Sequence, residues 1–391
     1  VAQPLPSSAT LSVPLEAQIE AQQKEQYLAQ HPDDVPTRQS LARLYFIHRN
    51  FPGAIKHLLV LKERQPREAA VCTRLAMAYQ QINQLDAAIA SAQQALALSP
   101  QDTAARTLLG DLYLAQGRSE DALREFDQVI RQNPQSYNAW MGKARSLEQL
   151  YIARRPIVTT DIVQPVKQAV KLQPNNPRAL STLARMTFVY LAQLDEAEKI
   201  ARRALQIDPN FADPYLILVE ISLNKPTSAP LNEAEKLAEK AAELDPSRPE
   251  PFYLLGRVQM RQNKLREAIK SLERSMQIES MPETIYMLSL AYARTGEVEK
   301  ARHYKDIYKR WNAFMEKRKI LLGELQHKPQ DVNVYCRLAE LYLSTGDLEP
   351  AENWLLKAQK LQKKHPRVRE LMAHLTKQKQ QAERSRETQS P

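Results

Sequence analysis

The sequence predicts an all-α solenoid built of antiparallel helix hairpins. Three observations carry that expectation. Five columns of residues recur with one period, the apolar residues between them have helical spacing, and breaking residues fall at the joints. Pro32, Pro66, Pro100 and Pro134 lie 34 apart, as do Leu41, Leu75 and Leu109. So do Tyr45, Tyr79 and Tyr113, and likewise Ala54, Ala88 and Ala122. Ala42, Ala76 and Gly110 form the fifth column.

The stretch Thr107 to Pro134 shows what one unit contains. Leu108, Leu109, Leu112 and Tyr113 form one apolar stripe; Ala122, Phe126, Val129 and Ile130 form a second. Gly117 lies between them, where a helix C-cap or turn residue is needed. Pro134 ends the second helix and leads into the next first helix. The unit is helix, short turn, helix. Helices of about 12–15 residues are marginal alone in water, so neighbouring units must supply the burial. The Gly110 and Ala122 columns are expected where two helices cross closely, and larger Leu, Tyr and Phe columns fill the seams.

This pattern resembles the tetratricopeptide repeat family. The resemblance rests on the period and on Leu109-Gly110, Tyr113, Ala122, Phe126 and Pro134. Trp140, Phe252, Leu255-Gly256 and Tyr292 repeat parts of it later. Repeats are placed at 35–68, 69–102, 103–136, 137–176, 177–211, 212–248, 249–281, 282–315 and 332–365. The resulting division is a disordered segment 1–14, an N-terminal helix 15–34, about eight repeats over 35–315, an extra helix 316–331, and a ninth repeat 332–365. A capping helix 366–384 and a disordered tail 385–391 complete the chain. The family resemblance implies a right-handed superhelix whose first helices line a concave groove for a peptide or a partner's helix.

Departures from the period locate the irregular places. Insertions fall near 151–165 and 224–232. Pro156 and the β-branched run Ile157, Val158, Thr159, Thr160 should interrupt a helix, and Asp161 could cap the next one. Ala301 and Ala351 are 50 apart, so 16 further residues intervene. They fit either an additional helix or an extension of the one before.

Composition excludes several classes. Two cysteines in 391 residues cannot form a disulfide framework or a thiolate zinc cluster. The seven histidines form no HExxH or HxxxH pair, and no GxGxxG, P-loop or GxSxG occurs, so no enzyme activity, metal or cofactor is expected. No apolar run approaches a membrane span. The polar start VAQPLPSSATLSVP resembles a mature N-terminus left by signal-peptide removal and points to an exported or periplasmic protein. A missing initiator Met on a cytoplasmic chain is the other reading.

Function is expected in binding: a non-catalytic scaffold holding a protein or peptide segment, acidic if the groove arginines are used. The candidate partner-binding residues are Arg43, Arg145, Arg185, Phe188, Tyr253, Arg257 and Tyr286. Guanidinium forks suit carboxylates, although pairing with the chain's own acids is the plainer reading. The alternative is an electrostatic module docking on nucleic acid or an anionic membrane. It rests on the net charge of +10 and on the last quarter, where from Val298 onward 20 Lys and Arg face 12 Asp and Glu. Within Lys300–Lys319, Tyr304, Tyr308, Trp311 and Phe314 recur on one helical face. That spacing favours packing beneath a solvated basic side.

Overall fold

The computed structural model describes residues 14–153, 156–226 and 231–387. All regular structure among them is α-helical. The chain divides into two units, Val1–Ile221 and Ser222–Pro391, with the boundary inside one helix.

The first unit opens with α1 (Leu15–Gln30), then α2 (Val35–Ile47) and α3 (Phe51–Arg64), α4 (Ala69–Gln81) and α5 (Leu85–Leu98), and α6 (Thr103–Ala115) and α7 (Ser119–Gln132). Next come α8 (Tyr137–Ile152) and α9 (Thr159–Leu172), then α10 (Pro177–Leu191) and α11 (Leu194–Ile207). Each first helix packs on the second helix of its hairpin, and each second helix packs on the next first helix through α10. Helix α12 (Ala212–Asn224) runs across the unit boundary. In the second unit, α13 (Asn232–Leu244) precedes α14 (Pro249–Arg261) and α15 (Leu265–Ile278), which form a hairpin. Helix α16 (Pro282–Arg294) pairs with α17 (Val298–His327), and α18 (Val332–Leu343) with α19 (Leu348–Leu361). Helix α20 (Pro366–Glu387) packs on α18 and α19.

Five of the first helices start in the same way, whereas α4, α14 and α16 have no side-chain cap bond. Asp34, Asp102, Ser136, Asn176 and Asp331 accept a backbone N–H of the first turn through their side chains, satisfying donors that have no partner in the helix. A second device ties five joints down. Six residues after the joint proline, Arg38, Arg106, Trp140, Tyr215 and Tyr335 donate to the carbonyl oxygen of Pro32, Pro100, Pro134, Pro209 and Pro329, at 2.6–3.0 Å.

Within six hairpins, the turn is a left-handed residue closing a Schellman motif. At Gly117, φ is 75°; its N–H bonds to Leu114 O, and Arg118 N–H to Tyr113 O. The same pair of bonds recurs at Arg49, Asn83, Asn263, Gly296 and Gly346, all with positive φ. Glycine holds this conformation freely, whereas Arg49 carries a Cβ penalty.

Small residues sit where the backbones close up. Ala54, Ala88 and Ala122 are fully buried, as are the later counterparts Ala197, Ala268 and Ala351. Phe126, also fully buried, fills a slot walled by two glycines. A Cβ on Gly110 would lie 2.8 Å from the Phe126 ring, and one on Gly142, in the following hairpin, would be closer still. Gly256 repeats the arrangement against Leu272.

Three sequence expectations change. Asp161 does not cap α9: the N-cap is Val158, with no side-chain cap bond, and Asp161 lies in the first turn, where its charge faces the positive helix end. The extra helix expected at 316–331 is not separate. Of the two readings of the extra residues the extension holds: α17 continues unbroken to His327 with Gly323 inside it, and the first proline after it is Pro329. The tail expected to be disordered from 385 is helical through Glu387, and 388–391 lie outside the described residues. Residues 1–13, and 154–155 and 227–230 in the two insertions, lie outside them as well.

Thermal unfolding of three variants tests this packing. Gly142→Ala should cost about 1–3 kcal/mol by overfilling the Phe126 slot. Gly323→Ala, in α17 with nothing within 4 Å of the added methyl, should instead add up to about 1 kcal/mol through helix propensity. Arg49→Gly should stabilise the first unit by about 1 kcal/mol by relieving the left-handed turn, provided the turn bonds persist in amide exchange.

Candidate partner-binding site

The first-helix column that begins at Arg43 leads to a cavity of about 680 Å³ between α2 and α4. Its floor is Ala42, Leu58 and Leu61; Phe46, Ile47 and Met77 form apolar walls. Ile47 and Met77 are large apolar side chains left 60% and 41% exposed. Arg43 and Arg74 stand at this cavity, both exposed and neither in an ion pair or hydrogen bond with a described residue. The geometry offers an apolar seat beside two guanidinium groups, which fits a chain segment carrying a carboxylate next to an apolar side chain.

The next arginines of the first unit are already engaged. Arg145 on α8 donates to Asp111 on α6 at 2.8 Å, one repeat earlier. Burial pushes the Asp111 carboxyl upward, and Arg145 offsets only part of that. Arg185 on α10 grips Glu148 on α8 with both guanidinium nitrogens, at 2.8 and 3.1 Å, and the Tyr190 hydroxyl donates to the same carboxylate at 2.8 Å. Burial alone would raise the Glu148 carboxyl. The Arg185 hydrogen bonds and charge, with Tyr190, outweigh it and hold Glu148 below its ordinary range. Burial and the adjacent carboxylate push the Tyr190 phenol up to about 12. Phe188, also on α10, is half-buried.

The second unit holds the remaining candidates. The Arg257 guanidinium lies over the Tyr253 ring at 5.5 Å, both on α14. Tyr286 on α16 is 45% exposed and meets Tyr308 on α17, ring centres 5.1 Å apart. The structure therefore does not gather the seven candidates into one place within either unit: four belong to the first and three to the second. Sequence reasoning missed Arg74, whose signal was its place on α4 three residues before Met77. It also missed Glu148, one helical turn beyond Arg145.

Near the chain start, a buried polar cluster ties α1 to the first hairpin. His57 on α3 is 1% exposed; its Nε2 donates to Glu25 on α1 at 2.9 Å. Arg38 Nη1 donates to His57 Nδ1 at 3.4 Å, and Tyr45 donates to Glu25 at 3.2 Å. Burial holds the imidazole below its usual value, with Glu25 partly opposing. The neutral ring matches the contact from Arg38, which needs a bare Nδ1. Cys72 and Cys336 are both buried free thiols, and burial pushes each upward. Among the described residues no group of three or more His, Cys, Asp or Glu could hold a metal ion, and no helix is long and apolar enough to cross a membrane.

Stacked hairpins with small-residue crossings and exposed first-helix side chains define a helix-repeat scaffold. The chain is a helix-repeat protein of the tetratricopeptide-repeat family. A tetratricopeptide repeat model matches residues 83–146 and 321–375, and a model of anaphase-promoting complex, cyclosome, subunit 3 matches 229–306. Over 142 residues the chain is 31% identical to cytochrome c-type biogenesis protein CycH of Rhizobium meliloti (strain 1021), covering 36% of each chain. Over 256 residues it is 27% identical to protein O-mannosyl-transferase TMTC3 of Homo sapiens, covering 62% of this chain and 26% of that one. The matches thus span about a third or less of these relatives' length. Among solved structures, PilW, a type IV pilus biogenesis factor, aligns with TM-score 0.46 and 17% identity over 52% of this chain and 90% of its own. YrrB, a TPR protein with an unusual peptide-binding site, aligns with TM-score 0.39 and 18% identity over 50% and 95%.

Glu148→Gln should lower the stability of the first unit by about 1 kcal/mol, the modest value expected because Arg185 is open to water on one side. The depressed carboxyl fixes the sign with pH. The wild-type advantage is full at neutral pH and disappears as pH falls through and below the ordinary glutamate range. Denaturation midpoints of the two proteins measured across that range check it.

Proposed function

We propose that the chain is a non-catalytic scaffold that holds a protein segment as part of an assembly, with the α2–α4 cavity as a principal contact. The observation that carries this reading is a contrast between arginines. Arg145 and Arg185 are paired with Asp111 and Glu148, whereas Arg43 and Arg74 stand uncommitted beside an apolar seat. A segment with an acidic residue next to Leu, Ile, Met or Phe satisfies both features. The apolar side chain covers Ile47 and Met77, and the carboxylate takes the guanidinium hydrogen bonds. Because the seat lies on helices packed before binding, association costs little in ordering the receptor.

The double variant Arg43→Glu/Arg74→Glu tests this reading. Both residues are exposed, so helicity and thermal unfolding should stay as in the wild type. Affinity capture from the native source should lose the bound protein by at least tenfold, or about 1.4 kcal/mol. Recovery of the same partner at the same yield would remove the cavity from the binding surface. Wild-type capture should weaken with salt only modestly, since the apolar part of the contact is not screened.

A further inference from the structure

Helix α17 is 30 residues long, about 45 Å, whereas the second helices α3, α5, α7, α11, α15 and α19 each have 14. Its first part pairs with α16 and its last part packs on α18. Only Leu321 of the thirty residues is buried. The aromatic face anticipated as packing beneath a solvated side is only half-covered.

The rings on that face form a rail. Tyr304 stacks on Tyr292 of α16, centroids 5.6 Å apart and planes within 5°. Tyr308 meets Tyr286 of α16 and stacks on Trp311 of its own helix at 6.5 Å. Phe314 meets Tyr342 of α18 edge-on at 5.4 Å. Trp311 falls between the reaches of α16 and α18, and its ring contact is with Tyr308 on its own helix. Beside it, Tyr286 and Leu290 of α16 stay 45% and 38% exposed. The rail from Tyr304 to Phe314 spans ten residues, about 15 Å, or roughly three turns of a facing helix.

Charge specifies what lies on it. Between Lys300 and Lys319 eight Lys and Arg face two acids, Asp306 and Glu316. Those acids make only long contacts within the helix, with Lys309 at 3.9 Å and Lys319 at 3.8 Å. Lys305, Arg310 and Lys317 are exposed and have no ion pair among the described residues. Arg318 donates to the Tyr342 hydroxyl at 2.7 Å.

We propose that the α16–α17 aromatic rail docks an acidic amphipathic helix of a partner protein, its apolar stripe on Trp311, Tyr286 and Leu290 and its carboxylates toward Lys305, Arg310 and Lys317. The first part of α17 is covered by α16 and its last part by α18, and the stretch around Trp311 lies between them, where a partner helix would cover the exposed Tyr286 and Leu290 as well. Single-stranded nucleic acid fits less well. Bases need free ring faces, while Tyr304 is stacked on Tyr292 and Tyr308 on Trp311. An anionic bilayer needs a broad apolar face to insert; here the exposed apolar stretch is short and flanked by packed helices.

The test uses the full chain and fluorescence anisotropy of two labelled 18-residue peptides. Both carry Leu at positions i, i+3, i+4 and i+7, flanked in one by Glu and in the other by Lys. The Glu peptide should bind at least tenfold more tightly than the Lys peptide. Binding should fall at least tenfold in Lys305→Glu/Arg310→Glu/Lys317→Glu, whose exposed positions leave folding intact, and in Trp311→Ala. The same losses should appear in the Arg43→Glu/Arg74→Glu background, which removes any capture of this acidic, leucine-bearing peptide by the α2–α4 cavity, so this site and the cavity stand or fall separately. Absent binding, equal binding of the two peptides, or undiminished binding by the charge-reversed chain overturns the proposal. Tighter binding to phosphatidylglycerol vesicles or to a single-stranded oligonucleotide than to the Glu peptide overturns it too.

Discussion

The ring of Phe126 belongs to one hairpin, yet one wall of its slot belongs to the next. It fits between Gly110, across its own hairpin, and Gly142, on the following first helix. That sharing is the constraint on which the rest depends. Hairpins of 13- and 14-residue helices cannot shelter their apolar stripes within themselves. Each core is therefore assembled across a seam, with a large side chain from one unit and small residues from both. The buried alanines on the second helices serve the same end, keeping helix axes close enough for the rings and leucines to meet.

Around that packing, polar groups fix the direction of the chain. Asp, Ser and Asn caps start first helices, and a side chain six residues past the proline reaches back to hold the joint. That clamp tolerates Arg, Trp or Tyr because each has a long arm ending in a donor. The left-handed turn inside the hairpin is equally permissive in identity. Gly, Asn and even Arg49 occupy it, since two backbone hydrogen bonds and the packing of both helices hold the geometry.

The repeat was legible because its period is carried by residues with sharp physical roles. Proline disfavours continuing a helix, and alanine or glycine fits a close crossing. Pro134, Ala122, Gly110 and Gly117 therefore announced the hairpin before any coordinates. The extent of α17 was harder to read, because its extra residues hold no proline, Gly323 is consistent with either reading, and helical spacing alone cannot tell a new helix from a longer one. Asp161 misled because an acid near a helix start serves either as cap or as first-turn charge, and only the backbone at Val158 distinguishes them. The binding surface was the least legible. Arg43, Arg145, Arg185 and Arg257 look alike in a column. What separates them is whether an acid stands within reach, and Asp111 and Glu148 lie 34 and 37 residues away in the chain.

The lengthened α17 shows how such a molecule accommodates change. Sixteen additional residues enter between the second helices of the α16–α17 and α18–α19 hairpins, and the later hairpin still closes in the ordinary way. In a globule with one central nucleus, an insertion of that size within a helix would displace partners on every side. Here each seam answers only to its immediate neighbours, so a helix can be stretched at one place while the packing elsewhere keeps its form.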